Sequence, residues 1–391
     1  MLKIIKNIDV YSPEKLGIKD VLIVGNKIGA IGENIEIDTK VIEIEKIDGT
    51  GKILVPGFID CHVHILGGGG EGGFATRTPE ANLSVLTTSG VTTVVGTLGT
   101  DGVARDMQAL LAKAHGLEEE GISTYVYNGS YRLPIKTLTG SVMGDIMAID
   151  KIIGIGEIAI SDHRSSQPTI EEFSKVVADT RVGGMLSGKA GIINVHLGDG
   201  KRGLELINRV VDETEIPITQ FLPTHINRNP HLFEEGIEYA KRGGYIDFTA
   251  SENPKLWEDM YGEIKFSKGL KRLLDEGVSE ENYTLTSDGQ GSLPMFDEKG
   301  KYLGIGVGSS KSLLSSIKDA VIAEKLPLEK VIRAVSSNPA EILKLKNKGR
   351  IKEEFDADLC ILNENLDIDT VIAKGKIMVK DGEAVRFGTF E

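Results

Sequence analysis

Two cysteines, Cys61 and Cys360, are all that 391 residues contain. They are too few for a disulfide framework, which fits a reducing compartment. Positive charge is also scarce: 45 Lys and Arg stand against 58 Asp and Glu, a formal net charge of -13. That balance argues against nucleic acid and against anionic membrane surfaces as partners. No apolar run is long enough to span a bilayer, and Met1-Leu2-Lys3-Ile4-Ile5-Lys6-Asn7 lacks the shape of a signal peptide. The expectation is a soluble cytoplasmic protein. Proline is sparse, 12 residues against 47 glycines, so tight turns are expected rather than a low-complexity linker. What is present in quantity is apolar surface: at 40% hydrophobic the chain can bury a full core, as one large domain with an appendage or as two domains.

The two ends of the chain share a pattern. Asp20-Val21-Leu22-Ile23-Val24-Gly25, Lys27 to Gly32 and Lys40 to Ile44 are short bursts broken by glycine, as in antiparallel strands. The pattern returns in Ala357 to Leu362 and Thr370 to Val379. One small β-sandwich built from residues 1–56 and 350–391 is expected, with residues 57–349 inserted in it.

The insertion alternates strand-like with amphipathic runs. Eight strands are predicted: Phe58–His64, Val91–Leu98, Thr124–Tyr131, Ile152–Ile160, Gly191–Leu197, Ile218–His225, Tyr245–Ala250 and Tyr283–Ser287. Helical patterns fall between and after them at Pro79–Ser89, Ile170–Leu186, Gly203–Glu213, Leu232–Lys241, Lys265–Glu276, Lys311–Glu324 and Leu328–Leu345. The simplest reading is an α/β fold, a (β/α)₈ TIM-type barrel; a doubly wound sheet is the alternative.

In such a barrel, chemistry sits at the C-terminal ends of the strands. His62 and His64 close the first strand, two apart and therefore projecting together, while Cys61, Val63 and Ile65 face the other way. Tyr131 ends the third strand, Glu157 lies on the fourth, His196 is near the end of the fifth, His225 ends the sixth and Asp288 follows the eighth. A lone His-x-His or a lone buried histidine is usually structural. Four of seven histidines at strand ends are not explained that way.

Four imidazoles and two carboxylates suit two divalent metal ions of the zinc kind (Zn²⁺). A water bridging two such ions would be acidified toward hydroxide near neutral pH. Asp288 would ligate and carry the proton, and the Tyr131 phenol would meet a developing oxyanion unless its hydroxyl simply faces water. His115 and His231 read as surface residues of helices, and His163 as structural. The glycines of Leu66-Gly67-Gly68-Gly69-Gly70-Glu71 lack phosphate-loop spacing.

With these residues in view, the chain resembles the amidohydrolase superfamily, and within it the isoaspartyl (β-aspartyl) dipeptidases. The resemblance covers nearly the whole chain. It rests on His62 to Glu71, Ile160-Ser161-Asp162-His163-Arg164-Ser165, Leu222-Pro223-Thr224-His225-Ile226-Asn227-Arg228-Asn229 and Ser287-Asp288-Gly289-Gln290-Gly291-Ser292. It implies that His62 and His64 bind one metal, that His196 and His225 bind the other, and that Asp288 is both ligand and proton carrier. It also implies that Gly69, Glu71, Thr100, Tyr131, Arg164, Arg228 and Ser292 hold a dipeptide. Glu71 would meet the ammonium, and the two arginines a carboxylate each. In well-known members a carboxylated lysine bridges the metals; the matching position here is Glu157, seven residues before Arg164.

The expected activity is metal-dependent hydrolysis of the β-aspartyl bond in dipeptides, by a homo-oligomer. Two alternatives stay open: an amidohydrolase acting on cyclic amides or N-acyl amino acids, and a non-catalytic homologue that only binds.

Overall fold

The computed structural model describes residues 2–39, 41, 43–296 and 302–391. Met1, Lys40 and Ile42, which the readings of the N-terminus and of an early strand included, lie outside the described residues.

Both ends of the chain enter one nine-stranded sheet. Ile53–Pro56 is the seam. It runs parallel to Leu2–Tyr11 on one side, with Asp9 opposite Ile53, and antiparallel to Leu359–Leu362 on the other, with Pro56 opposite Leu359. Outside these lie Lys15–Val24 and Lys27–Gly32 at one end, and Ile368–Ala373, Lys376–Lys380 and Glu383–Ala384 at the other. Ile5, Ile8, Val21, Ile23, Leu54, Leu359 and Ile361 form its own apolar cluster. The strand read around Lys40 to Ile44 is Ile44–Asp48, and it pairs parallel with Leu2–Lys6, not antiparallel as its neighbours do.

The middle of the chain makes a curled parallel sheet. Six strands, Phe58–Val63, Val91–Gly96, Ser123–Asn128, Ile152–Ile160, Ile192–Leu197 and Phe221–Thr224, hydrogen-bond in chain order. Ile246–Thr249 and Tyr283–Thr286 form a parallel pair of their own. The Ile226 amide donates to the Asp247 carbonyl at 3.2 Å, and a parallel bridge joins Val63 to Gly289. The last strand thereby meets the first. Every residue of Phe58–Val63, Ile152–Ile160 and Ile192–Leu197 is buried, as strands covered on both faces require.

Local chemistry sets the helices. Ile170–Ser187 starts from a reciprocal Thr169/Glu172 capping box and stops at Gly188, left-handed at φ 69°. Asn229 caps Pro230–Lys241, with Pro230 in the first turn. Other expectations need correction. The pattern Pro79–Ser89 yields only Leu83–Thr88, and Leu328–Leu345 breaks into Leu328–Arg333 and Ser337–Ile342. Lys311–Glu324 is α-helical to Lys318 and then widens into a π-helical turn, Asp319–Ala323. Tyr131 lies beyond the end of its strand, which stops at Asn128.

The first parallel strand also departs from simple alternation. Asp60 pairs with Val94 but Val63 with Gly96, so a bulge lies between them. Cys61 consequently packs with Ile59, Val95 and Tyr127, whereas Val63 and Ile65 join the main core. No helix among the described residues is long and apolar enough to cross a membrane.

Candidate active site

The C-terminal ends of the parallel strands bring six of the expected groups to one point. Glu157 is the hub. Its Oε2 lies 3.2 Å from His62 Nε2, 3.0 Å from His196 Nδ1 and 3.9 Å from His225 Nε2, and its Oε1 lies 3.4 Å from His64 Nε2. Asp288 Oδ1 sits 3.1 Å from His64 Nε2 and 3.6 Å from His62 Nε2. Despite the bulge, His62 on the first parallel strand and His64 just past its end do converge.

The backbone is arranged to allow this. Gly156 packs against the neighbouring strand so closely that a Cβ there would stand 2.7 Å from Asn194 Cβ. A larger residue would push Glu157 and its strand away. His225 and Asp288 hold left-handed conformations, φ 63° and 49°, which cost on the order of 1–3 kcal/mol each and persist where the surroundings enforce them.

Outer partners decide which imidazole nitrogen faces the centre. His62 Nδ1–H donates to Asn194 Oδ1 at 3.1 Å and His225 Nδ1 shares a hydrogen bond of 2.6 Å with the Thr249 hydroxyl, so both Nε2 atoms face inward. His196 is turned the other way. Its Nε2–H donates to Asp162 Oδ2 at 3.2 Å, so Nδ1 points to Glu157. Second hydrogen bonds of this kind fix tautomer and ring angle in metal-binding histidines.

The donor set fits divalent cations. The ligand atoms of His62, His64 and Asp288 lie within 4.8 Å of one another, as do those of His62, Glu157 and His225. His62 Nε2, Glu157 Oε1 and Asp288 Oδ1 are buried without a hydrogen-bond partner among the described residues. Burial disfavours a charged His62, but Glu157 and Asp288 outweigh it and raise its pKa to about 10. The field that favours a proton there would favour a metal cation. His225, where burial dominates, is pushed down to about 3. Burial alone would raise the Glu157 and Asp288 carboxyls, yet the surrounding imidazoles hold both well below the ordinary range.

A second cluster of charges borders the first. Arg164 forks onto Asp162, Nε to Oδ1 at 3.0 Å and Nη2 to Oδ2 at 2.7 Å, and its Nη1 reaches Glu71 Oε1 at 3.1 Å. Thr100 Oγ1 donates to the same Glu71 oxygen at 2.8 Å, and Ser292 Oγ approaches the other at 3.5 Å. A side chain at Gly69 would strike Thr76 O and crowd Ser292 Cβ. Tyr131 is buried, its ring under the Arg164 guanidinium and its hydroxyl 3.0 Å from His196 Nδ1. The reading of that hydroxyl as facing water is therefore wrong. Burial pushes the phenol pKa far up, which keeps its proton available for donation. Arg228 stands apart from the Glu71 group. Its Nη1 lies 3.8 Å from Asp199, and its buried Nε has no partner among the described residues.

The sequence matches the model of the amidohydrolase family over residues 264–378. Among solved structures it is similar to the β-aspartyl dipeptidase of the thermophilic keratin degrader Fervidobacterium islandicum AW-1, in complex with β-Asp-Leu. The two are 49% identical, with 98% of this chain and 97% of that one covered and a TM-score of 0.90. This chain belongs to the β-aspartyl dipeptidase family of amidohydrolases. More distant likenesses agree on the fold. They include the D-hydantoinase of Thermus sp., 17% identical over 99% of this chain and 97% of that one with a TM-score of 0.68. A dihydroorotase of Listeria monocytogenes is 25% identical, with 95% of this chain and 92% of the relative covered. Amidohydrolase folds imply a TIM-type barrel, and the curled parallel sheet accords with it.

Within this family setting, the expected residues His62, His64, Glu157, His196, His225 and Asp288 come together, and Gly69, Glu71, Thr100, Tyr131, Arg164 and Ser292 line the adjoining charge cluster. His115 and His163 are exposed, and His231 is a surface partner of Glu235. Asp162, Asn194 and Thr249 escaped the sequence reading. Asp162 alone left a trace, two residues before Arg164 in a loop already singled out.

Proposed function

We propose that this protein hydrolyses the β-aspartyl peptide bond of dipeptides, using a pair of divalent ions, Zn²⁺ by preference. One observation carries the reading: four imidazoles converge on the Glu157 carboxylate, with Asp288 against two of them, beside the Glu71–Arg164 ion pair. The likeness to a dipeptidase that binds β-Asp-Leu supports it.

His62 and His64 would hold one ion, His196 and His225 the other, with Asp288 on the first and Glu157 between them. Ions so held supply a Lewis acid and an acidified water nucleophile. Asp288 takes the proton from the attacking water and returns it to the leaving nitrogen; the carboxylic acid proton follows it to the amine, so that water and amide become a carboxylate and an ammonium. The Tyr131 hydroxyl donates to the oxyanion that forms at the scissile carbonyl. Glu71 receives the substrate α-ammonium, with Thr100, Gly69 and Ser292 shaping its surroundings. Arg164 and Arg228 each receive a carboxylate. The Glu71–Arg164 pair opens for a group that carries both charges, which the head of an isoaspartyl residue does.

In this reading residues 57–349 form a closed (β/α)₈ barrel and residues 1–56 and 350–391 a small β-sandwich beside it. The enzyme works as a cytoplasmic homo-oligomer, without nucleic acid or membrane. Elemental analysis of the purified protein, with turnover of β-Asp-Leu, α-Asp-Leu and a cyclic ureide, tests the proposal. Two metals per chain and turnover of β-Asp-Leu alone are expected; preferential turnover of the ureide overturns it.

A further inference from the structure

Asp60 is a buried carboxylate to which the mechanism above gives no task. It is fully buried on the strand Phe58–Val63, two residues before His62, and no cation pairs with it among the described residues. Its contacts lie across the sheet, on the segment after the last parallel strand. Oδ1 accepts the Ser287 amide at 3.2 Å and Oδ2 the Ser287 hydroxyl, with the Ser310 hydroxyl also on Oδ2 at 3.4 Å. A buried carboxylate so held has two hydrogen bonds from one residue, and ionised acceptors make the stronger bonds.

The grip extends past Ser287. Its hydroxyl oxygen accepts the Gly289 amide at 2.9 Å, and the Gly289 carbonyl accepts the His64 amide at 2.9 Å. Both neighbours of Asp288 are thus fixed, one by Asp60 and the other by Ser287 and His64. Between them Asp288 holds φ 49°, a left-handed conformation that aspartate tolerates better than most residues and that the bonds on either side keep in place. There is no room for a substitute at Gly289: a Cβ would stand 2.8 Å from Ser287 Oγ and 3.0 Å from Ser310 Oγ.

We infer that Asp60 is a positioning residue for Asp288. Through Ser287 it locks the chain so that the Asp288 carboxylate points at His62 and His64. The inference rests on the proposed role of Asp288 as ligand and proton carrier. An error of about 1 Å in such a group is enough to cost on the order of 10²-fold in rate.

The test compares Asp60→Asn, Ser287→Ala, the double variant and Asp288→Ala in the full-length, metal-loaded enzyme. Asp60→Asn keeps an acceptor for the Ser287 amide but offers the hydroxyl an NH₂ group. Ser287→Ala leaves Asp60 and its bond from the Ser287 amide intact but removes the hydroxyl that links Asp60 to the Gly289 amide, so it decides the matter if Asp60→Asn does not fold. Each single change is expected to lower kcat for β-Asp-Leu at least 10-fold with KM within threefold. The double variant should be no worse than the weaker single. Crystal structures of the variants should show Asp288 out of the left-handed region. Retention of kcat within threefold by Ser287→Ala, with Asp288→Ala inactive, overturns the inference alone. Multiplying single effects, or an unchanged Asp288 φ, do so too. An active Asp288→Ala enzyme overturns instead the role assigned to Asp288.

Discussion

The Asp162 carboxylate accepts the His196 Nε2–H at 3.2 Å. The same group holds the Arg164 guanidinium at two points, so one side chain aligns an inward imidazole and a charge-reading arginine. Asp162→Asn puts an NH₂ group where two donors converge. Losses of roughly 10–100-fold in metal affinity or activity follow from changing such partners. We expect metal affinity to fall within that range and KM for β-Asp-Leu to rise. Dialysis against a graded chelator series, read by elemental analysis, measures the first. Parent-like metal retention with an unaltered KM contradicts the double role.

Linkage specificity follows from Glu71, Arg164 and Arg228. An α-linked aspartyl dipeptide carries the same charges as its β isomer but puts one carboxylate out of place. Sites built for polar groups reject analogues that leave those groups unpaired, by about 10⁴-fold in favourable cases. A preference for β-Asp-Leu over α-Asp-Leu of at least ~10³-fold in kcat/KM is expected on the same ground. Comparable turnover of the two isomers contradicts the assignment.

Asp288→Ala should leave the fold and most of the bound metal in place, since four histidines and Glu157 remain around the centre. Losing a proton-transfer group costs on the order of 10²–10⁴-fold, so kcat should fall by more than ~10²-fold. Steady-state kinetics on protein of measured metal content checks this. A variant with most of its kcat locates the proton carrier elsewhere.

Stability should depend on a buried ion group where the two sheets meet. Lys348 is buried and pairs with Asp358 and, at 2.8 Å, with Asp356; it also donates to Ser123 Oγ on a parallel strand at 2.6 Å. Lys348→Ala leaves the buried Asp358 carboxylate without its cation, while Asp356 keeps Lys27 at 2.6 Å. Breaking a buried pair from one side costs about 3–5 kcal/mol, which at an unfolding entropy of ~2.1 cal/mol/K per residue lowers the apparent Tm of a chain this long by roughly 4–6 °C. Calorimetry measures it. A Tm within ~1 °C of the parent, a change of less than about 1 kcal/mol, means that solvent relieves the uncovered charge.

The repeating strands and strand-end histidines were legible because burial on both faces writes near-continuous apolar runs, and because ligands follow those runs at fixed offsets. Ile152–Ile160 falls where the pattern puts it to the residue. What the sequence hides is pairing between distant segments. Nothing local announces that Ile53–Pro56 joins Leu359–Leu362, or that the strand before His62 bulges. The outer partners were hidden for the same reason. Asn194 and Thr249 are ordinary strand residues until the fold sets them against His62 and His225. Helix ends failed where tertiary packing overrode propensity, as in the π-helical turn Asp319–Ala323.

Glu157 poses the sharpest chemical question. A carboxylated lysine and a glutamate both offer two anionic oxygens, but the glutamate is shorter by about three bonds, roughly 3–4 Å of reach. The Glu157 carboxylate nevertheless lies within 3.9 Å of all four imidazoles. Its two oxygens divide the work: Oε1 faces His64, and Oε2 faces His62, His196 and His225. The reach comes from the backbone, because Gly156 lets the strand approach Asn194 more closely than any side chain would permit. A carboxylate so placed can span two cations without a carbamate. Metal reconstitution of the apo-protein should therefore restore the same activity with and without added bicarbonate. Glu157→Gln keeps the shape and removes the charge, so two ions would repel with less to hold them. We expect it to retain at most one tightly bound metal per chain by elemental analysis. Recovery that requires bicarbonate, or two metals bound by Glu157→Gln as tightly as by the parent, contradicts direct bridging. One metal per chain in the parent itself would mean that Glu157 serves a single ion.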